Sequence, residues 1–330
     1  MSKNILICGG AGTLGSGLSS ILVKEHNNVS VLDIIRSDEA WKLEDAGVKD
    51  KVEYIWKSTT DISESDLKDI DIVIDCGLAV PDRPMGTNSP IHSLIGNLLP
   101  PIYLLETVRK MKTKPTIIYP SSLNARYGHK VNSLLNEATF PLPSTPYGWT
   151  KSAAETLYLT YNKSFGVPVV IVVVGSGYGP RMRSDELIGN YIIKTIRREK
   201  KFKMRSPKAK RLWSYAADFL SFYKELIYRV EDFNGAVLSC AGNKGDRIVT
   251  NVELASIINK VARDKGFKPL DIEEANYEPG ELINGEPINF DMDNSKTRSD
   301  LHWSPSFTLE DGLSATFDWF SKNIYRFAKV

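Results

Sequence analysis

Tyr147 and Lys151 lie one helical turn apart in the stretch Pro146-Tyr147-Gly148-Trp149-Thr150-Lys151. Residues at i and i+4 share a helix face. An ammonium on that face favours a phenolate, so a weak acid becomes a usable proton acceptor near neutral pH. Such pairs also occur on solvated helix faces, so the weight of this one rests on its company. That company is a glycine turn. Ile5-Leu6-Ile7-Cys8 reads as a strand, Gly9, Gly12 and Gly15 follow, and a helical pattern starts there. Glycines at this spacing let the backbone turn sharply and approach a pyrophosphate, and a helix N-terminus offers N–H groups and partial positive charge. Asp33 ends the next strand-like run, Val29-Ser30-Val31-Leu32. A carboxylate there accepts hydrogen bonds from adenosine ribose hydroxyls and repels a 2′-phosphate, which favours NAD over NADP. Arg36 nearby is of the type that meets a 2′-phosphate instead. Asp61 and Ile62, after the third strand, are placed to meet the adenine edge and face. Capping of a following helix is the other role open to Asp61.

The elements that must position these residues show in the apolar pattern. Asn4–Cys8, Asn28–Leu32, Val52–Trp56, Ile70–Asp75, Thr116–Tyr119 and Val167–Val174 read as strands. Several are apolar on both faces, as in a parallel sheet covered on each side. Helical patterns fall between them at Gly15–Glu25, Ser63–Lys68, Ile91–Lys112 and Tyr147–Ser164. This alternation predicts an α/β fold, a doubly wound parallel sheet of Rossmann type. In the second half, Asp185–Glu199, Tyr215–Val230, Val252–Lys265 and Leu309–Asn323 read as helices and Gly235–Ser239 as a strand. The expected division is a dinucleotide-binding domain over 1–175 and a smaller α+β substrate-binding region over 176–330. Residues 212–240 are expected to return to the first sheet.

Composition narrows the function classes. The chain has 330 residues, 42% hydrophobic and 25% charged, which predicts a packed globular protein. A net charge of +2 gives no general case for nucleic acid. The run 197–211 is the exception: it is dense in Lys and Arg with the single acid Glu199, and reads as a solvated surface or a face for an anionic substrate. Cys8, Cys76 and Cys240 have no metal or disulfide spacing, and the four histidines form no ligand motif, so no metal is expected. The N-terminus reads as a strand and not a signal peptide, and the longest apolar run, Val167 to Gly175, is too short to span a bilayer. A cytoplasmic protein without a membrane partner is the expectation.

Taken together, these motifs resemble the extended short-chain dehydrogenase/reductase family, the group of NAD-dependent nucleotide-sugar epimerases and dehydratases. Gly9-Gly10-Ala11-Gly12-Thr13-Leu14-Gly15 is similar to its glycine turn, and Asp75-Cys76-Gly77-Leu78-Ala79 to the strand end beside the cofactor. Asn97-Leu98-Leu99 resembles its Asn-initiated helix, with Pro100-Pro101 in place of Gly-Thr. Gly177-Tyr178-Gly179-Pro180-Arg181, the segment Arg211 to Asp218, and Asp293 to Pro305 resemble later family segments.

The resemblance implies a mechanism. Tyr147 takes a proton from a substrate hydroxyl while the attached carbon gives hydride to nicotinamide. Lys151 lowers the Tyr147 pKa and holds the nicotinamide ribose, and Ser122 orients the hydroxyl. Counting back from Tyr127-Gly128 places the family's hydroxyl residue at Leu123, and one extra loop residue returns it to Ser122. Gly9, Gly12, Thr13, Leu14, Gly15, Asp33, Arg36, Asp61, Ile62, Cys76, Gly77, Leu78, Asn97 and Gly177 are implied to line the NAD site with Tyr147 and Lys151. Ser121, Asn124, Ser176, Arg181 and Arg211 are implied to meet substrate, with Arg211 on its diphosphate. A second diphosphate Arg is replaced by Glu278. Dehydratases of the family carry Thr-Asp-Glu where this chain has Leu123-Asn124-Ala125. The expected function is therefore a nucleotide-sugar epimerase. The alternative is an NAD-dependent dehydrogenase of a small hydroxy compound, and a third is a non-catalytic dinucleotide sensor. The family's helix pairing implies a homodimer through Ile91–Lys112 and Tyr147–Ser164.

Overall fold

Strands buried on both faces organise the N-terminal half, and the computed structural model describes residues 2–78, 89–129, 134–275 and 289–327. The elements run β1 (Asn4–Cys8), α1 (Thr13–Lys24), β2 (Asn28–Asp33), α2 (Trp41–Asp45), β3 (Glu53–Trp56), β4 (Ile72–Asp75), α3 (Pro90–Lys110) and β5 (Thr116–Ser122). After these come β6 (Leu134–Leu135), α4 (Pro146–Phe165), β7 (Val169–Val174), β8 (Ser176–Tyr178), α5 (Leu187–Ile196), β9 (Lys201–Met204), β10 (Lys210–Tyr215) and α6 (Ala216–Tyr228). The chain ends with β11 (Val237–Cys240), β12 (Ile248–Thr250), α7 (Asn251–Asp264), β13 (Asp271–Glu274), β14 (Asn289–Met292), α8 (Ser295–Leu301) and α9 (Leu309–Asn323).

The central sheet has seven strands in the order β11-β7-β5-β4-β1-β2-β3, all parallel. This is the expected doubly wound sheet. Alternate residues divide between two cores, as the two-residue period of a strand requires. Ile5, Ile7, Ile72, Ile74, Val170 and Val172 pack toward Leu18 of α1 and Phe222 of α6. Leu6, Cys8, Val73, Ile117, Val169 and Ile171 pack toward Leu104, Leu105 and Val108 of α3 and Ala154 and Tyr158 of α4. The strand read at 235–239 is β11, which pairs with β7.

Two local expectations fail for identifiable reasons. Residues 63–68 form turns and no helix. There the Asp66 carboxylate takes the Ser63 N–H, the Ser63 hydroxyl and the Lys57 ammonium, bonds that compete with a short helix. β5 runs on through Pro120 to Ser122, although proline is rare inside a sheet. It is tolerated because pairing with β4 ends at Ile118, and the last residues of β5 pair only with β7.

The second half holds more strand than its pattern shows. β12, β10, β14 and β6 form a sheet in that order, with β8 beside β10, and β9 pairs with β13. Most are four residues or fewer, too short for periodicity to identify. Ala79 and the Glu278-Pro279-Gly280-Glu281 segment lie outside the described residues. Among the described residues no helix is long and apolar enough to cross a membrane, and no cluster of His, Cys, Asp or Glu could hold a metal.

Candidate active site

The glycine turn sits between β1 and α1, at the point where strand order reverses and open α/β sheets bind ligands. Gly9 has φ +71°, and a Cβ there would stand 2.8 Å from the Gly77 nitrogen at the end of β4. A Cβ on Gly15 would come within 2.5 Å of both Gly10 Cα and Gly9 O. The turn is thus closed against β4 and against itself. α1 starts at Thr13 with Gly12 as N-cap and no side-chain cap. Asp33 Oδ2 accepts the Ala11 N–H at 2.9 Å and Oδ1 the Ile35 N–H at 3.0 Å. The acid therefore braces the turn as well as ending β2. A tight glycine cradle, an uncapped helix start and this carboxylate fit a dinucleotide.

Other expected cofactor residues vary in position. Cys76 and Gly77 are partly exposed and Leu78 is 48% exposed beside the turn. Leu14 packs against the sheet core and Thr13 Oγ1 donates to Arg181 O at 2.9 Å. Arg36 is exposed, paired with Asp38 at 3.2 Å and 5.6 Å from the Trp56 ring centroid. Asp61 is exposed at the end of a short 3-10 turn, Thr59–Asp61, and no helix follows for it to cap. The Ile62 side chain is buried among Leu6, Cys8 and Val73, so it belongs to the core and not to an adenine face. Asn97 lies inside α3 and is 4% exposed; its Nδ2 donates to Thr150 Oγ1 at 3.2 Å, joining α3 to α4 beside Lys151.

The start of α4 places the catalytic candidates. Thr145 caps it by accepting the Gly148 N–H at 3.0 Å, and Pro146 takes the first turn. Gly148 is needed for close approach: a Cβ there would lie 2.4 Å from Asn124 O in the turn after β5. That approach sets Ser122 near Tyr147, close enough for its hydroxyl to favour the phenolate. Ser122 Oγ also accepts from Asn124 N and Nδ2 at 3.2 and 3.1 Å. Leu123 is buried in a small apolar cluster with Tyr127 and Leu135. The hydroxyl beside Tyr147 is thus that of Ser122, and the alternative count to Leu123 fails.

The electrostatics differ from expectation. Burial pushes the Tyr147 phenol up to about 12, with the Ser122 hydroxyl opposing it. Lys151 does not lower it here. The Lys151 amine is itself brought down to about 8 by burial, against the pull of Asp75, Cys76 and Glu155. Its Nζ donates to Pro120 O at 2.8 Å and sits 4.6 Å from the Tyr119 ring centroid. Tyr147 thus starts as a phenol, and Lys151 starts held on the β5 edge by Pro120 O.

The substrate candidates divide. Asn124 stands in the turn that touches Ser122 and Gly148. Arg211 Nη1 donates to Tyr127 Oη at 3.4 Å, and Tyr127 acts electrostatically on Tyr147, so Arg211 joins this group. Ser176 and Gly177 lie on β8 opposite Trp213 and Ser214. Ser121 does not face substrate: it is 3% exposed and donates to Glu155 Oε2 at 2.8 Å. Arg181 is also diverted, since it pairs with Asp45 at 3.3 Å and its carbonyl takes Thr13. Sequence reasoning missed Lys42, whose Nζ donates to Thr13 Oγ1 at 2.8 Å at the start of α1. Its neighbours Trp41 and Leu43 form no motif that signals this.

A parallel sheet in this order, with a glycine turn at its switch point, defines a Rossmann-type dinucleotide enzyme. The sequence model described as the NAD dependent epimerase/dehydratase family matches residues 5–238. Among curated proteins, a dTDP-D-glucose 4,6-dehydratase of Dictyostelium discoideum is 26% identical, spanning 97% of this chain and 82% of that one. An uncharacterized UDP-glucose epimerase of Bacillus subtilis is also 26% identical, spanning 94% and 95%. UDP-glucuronic acid 4-epimerase from Bacillus cereus, solved with UDP-glucuronic acid and NAD, superposes with TM-score 0.84 at 23% identity, covering 98% of this chain and 100% of that one. The chain belongs to the NAD-dependent epimerase/dehydratase family of extended short-chain dehydrogenase/reductase enzymes, and NAD is its cofactor.

Proposed function

We propose that the protein is a nucleotide-sugar epimerase that works through a keto-sugar. The observation that carries this reading is the cluster of Ser122, Tyr147 and Lys151, with no acid in the turn after β5. Ser122 holds the substrate hydroxyl toward Tyr147. Tyr147 takes that proton on oxidation and returns it to the carbonyl oxygen when the rotated keto-sugar is reduced on its other face. NAD, which the glycine turn would hold by its pyrophosphate, would supply the hydride acceptor, the hydride's return, and a positive ring charge that favours the phenolate. Lys151, held on Pro120 O one helical turn from Tyr147, contributes an ammonium to the site. A dehydratase needs carboxyl groups to remove water, and Leu123, Asn124 and Ala125 offer none. Arg211 supports a diphosphate on the substrate. UDP- and dTDP-sugars are the first candidates because relatives named for those sugars span nearly the whole chain. The enzyme is further read as a cytoplasmic homodimer.

The test is incubation of purified protein with UDP-glucose, UDP-galactose, UDP-glucuronic acid and dTDP-glucose, followed by proton NMR of the sugar. A new epimer without net NADH is expected. A 4-keto-6-deoxy product would show a dehydratase. NADH accumulating with small hydroxy acids, and no epimer, would show a dehydrogenase.

A further inference from the structure

Asp75 ends β4 and is 1% exposed. Its Oδ2 accepts from Tyr158 Oη at 2.5 Å, and its Oδ1 accepts the Gly77 N–H at 3.2 Å. Tyr158 stacks on Tyr119 with ring centroids 4.6 Å apart, and Lys151 Nζ lies 4.6 Å from the Tyr119 centroid. A buried carboxyl group and a buried amine thus flank one aromatic pair. Among the described residues neither forms an ion pair of its own. Glu155, the neighbouring buried acid, is committed to Arg126 at 2.6 and 3.1 Å and to Ser121. An uncompensated buried charge is costly, so such groups pair or neutralise.

We propose that Asp75 is a positioning residue for the reaction, the internal counter-charge that keeps Lys151 an ammonium across the Tyr158–Tyr119 stack. This rests on the reading of Lys151 as part of the active site. The groups facing Lys151 are Asp75 and Cys76 from the end of β4, Glu155 from α4 and Tyr119 from β5. Those facing Asp75 are Tyr158 and Lys151 from α4, Cys8 from β1 and Tyr119 from β5. Burial drives the amine down, and Asp75 is the strongest of the neighbours that oppose it. Burial raises Asp75, while the Tyr158 hydrogen bond and Lys151 hold it back. Both thiols are raised by burial, so they supply no negative charge.

Asp75→Asn removes the charge and keeps both hydrogen bonds open: the amide oxygen accepts from Gly77 and the amide nitrogen donates to Tyr158. The measurement is the pH titration of the Lys151 side-chain NMR resonance in the purified protein, assigned by its loss in Lys151→Met. In Asp75→Asn the inflection is expected to fall below its native position by roughly one unit, which is about tenfold less ammonium at a given higher pH. The falling limb of kcat/KM should move with it. Tyr158→Phe strips the carboxylate of a donor, favours its protonated form, and should move the inflection the same way. It carries the decision if Asp75→Asn does not fold. An unmoved Lys151 inflection in the folded variant overturns the proposal. Full turnover by Lys151→Met would instead remove the catalytic reading of Lys151, while the titration still decides the counter-charge.

Discussion

Tyr147 holds its proton too firmly to act as a base unaided, because its phenol is pushed up to about 12. A positive charge must arrive with the ligands, and Ser122 already works against the burial that holds the proton on. Tyr147→Phe keeps the ring and removes the transferable proton. Turnover should fall by about 10²–10⁴, the usual range for general acid–base groups, with an unchanged thermal transition. Lys151 predicts the pH dependence. Its folded pKa of about 8 lies below the ordinary lysine value of ~10.4. Below the lower value both folded and unfolded chains carry the proton; between the two values the unfolded chain binds more. This group's contribution to stability therefore rises with pH across that window, while the ammonium needed for the reaction is lost. A kcat/KM profile falling above about pH 8, alongside urea midpoints that rise over that window in wild type relative to Lys151→Met, is the expected pair of results. Activity unchanged to pH 10 would exclude an essential ammonium.

At the scale of elements, the packing of the turn after β5 on α4 decides whether those residues meet. The turn after β5 presses on the first turn of α4 at Gly148, where a Cβ would stand 2.4 Å from Asn124 O. Gly148→Ala must push that turn away, so it should cost about 1–3 kcal/mol in urea unfolding and lower kcat more than it changes NAD affinity. Deeper in, Arg126 from the same turn and Glu155 from α4 form an ion pair with 1% and 2% of their side chains exposed. Glu155→Ala strands a buried guanidinium, and a loss of roughly 3–5 kcal/mol is expected. A loss within 1 kcal/mol, measured by the same unfolding, would show that water reaches the pair.

Legibility in the sequence follows the same scale. Long apolar strands and the glycine turn were readable because their pattern is local. Ser122 was readable only as one of two counts, because its place depends on a one-residue register after Pro120. The failures of Ser121, Ile62 and Arg181 share a cause. Each sits in the right segment, but its direction is fixed by a partner distant in sequence: Glu155, the sheet core and Asp45. Lys42 reaches Thr13 for the same kind of reason, and no sequence spacing announces it.

At the scale of the whole molecule, α3 carries an apolar stripe that is exposed among the described residues. Ile91, Ile95, Leu99 and Tyr103 recur every four residues along α3 and are 59%, 50%, 40% and 49% exposed. Trp149 on α4, the helix packed beside α3, adds 48%. Scattered apolar residues on a surface are ordinary, but a stripe at helical spacing is the form of a helix-packing seam. Two copies related by a two-fold axis would bury it with the same residues from each, as a self-complementary contact requires. The proposed homodimer therefore has a specific test. Sedimentation velocity at micromolar concentration should give twice the chain mass for wild type. Ile95→Glu places a charge in the middle of the stripe and should give the monomer mass while still binding NAD, because α3 packs on the opposite face of the sheet from α1. A wild-type monomer would leave the stripe for another occupant and would detach the dimer from the epimerase reading without touching the chemistry at Tyr147.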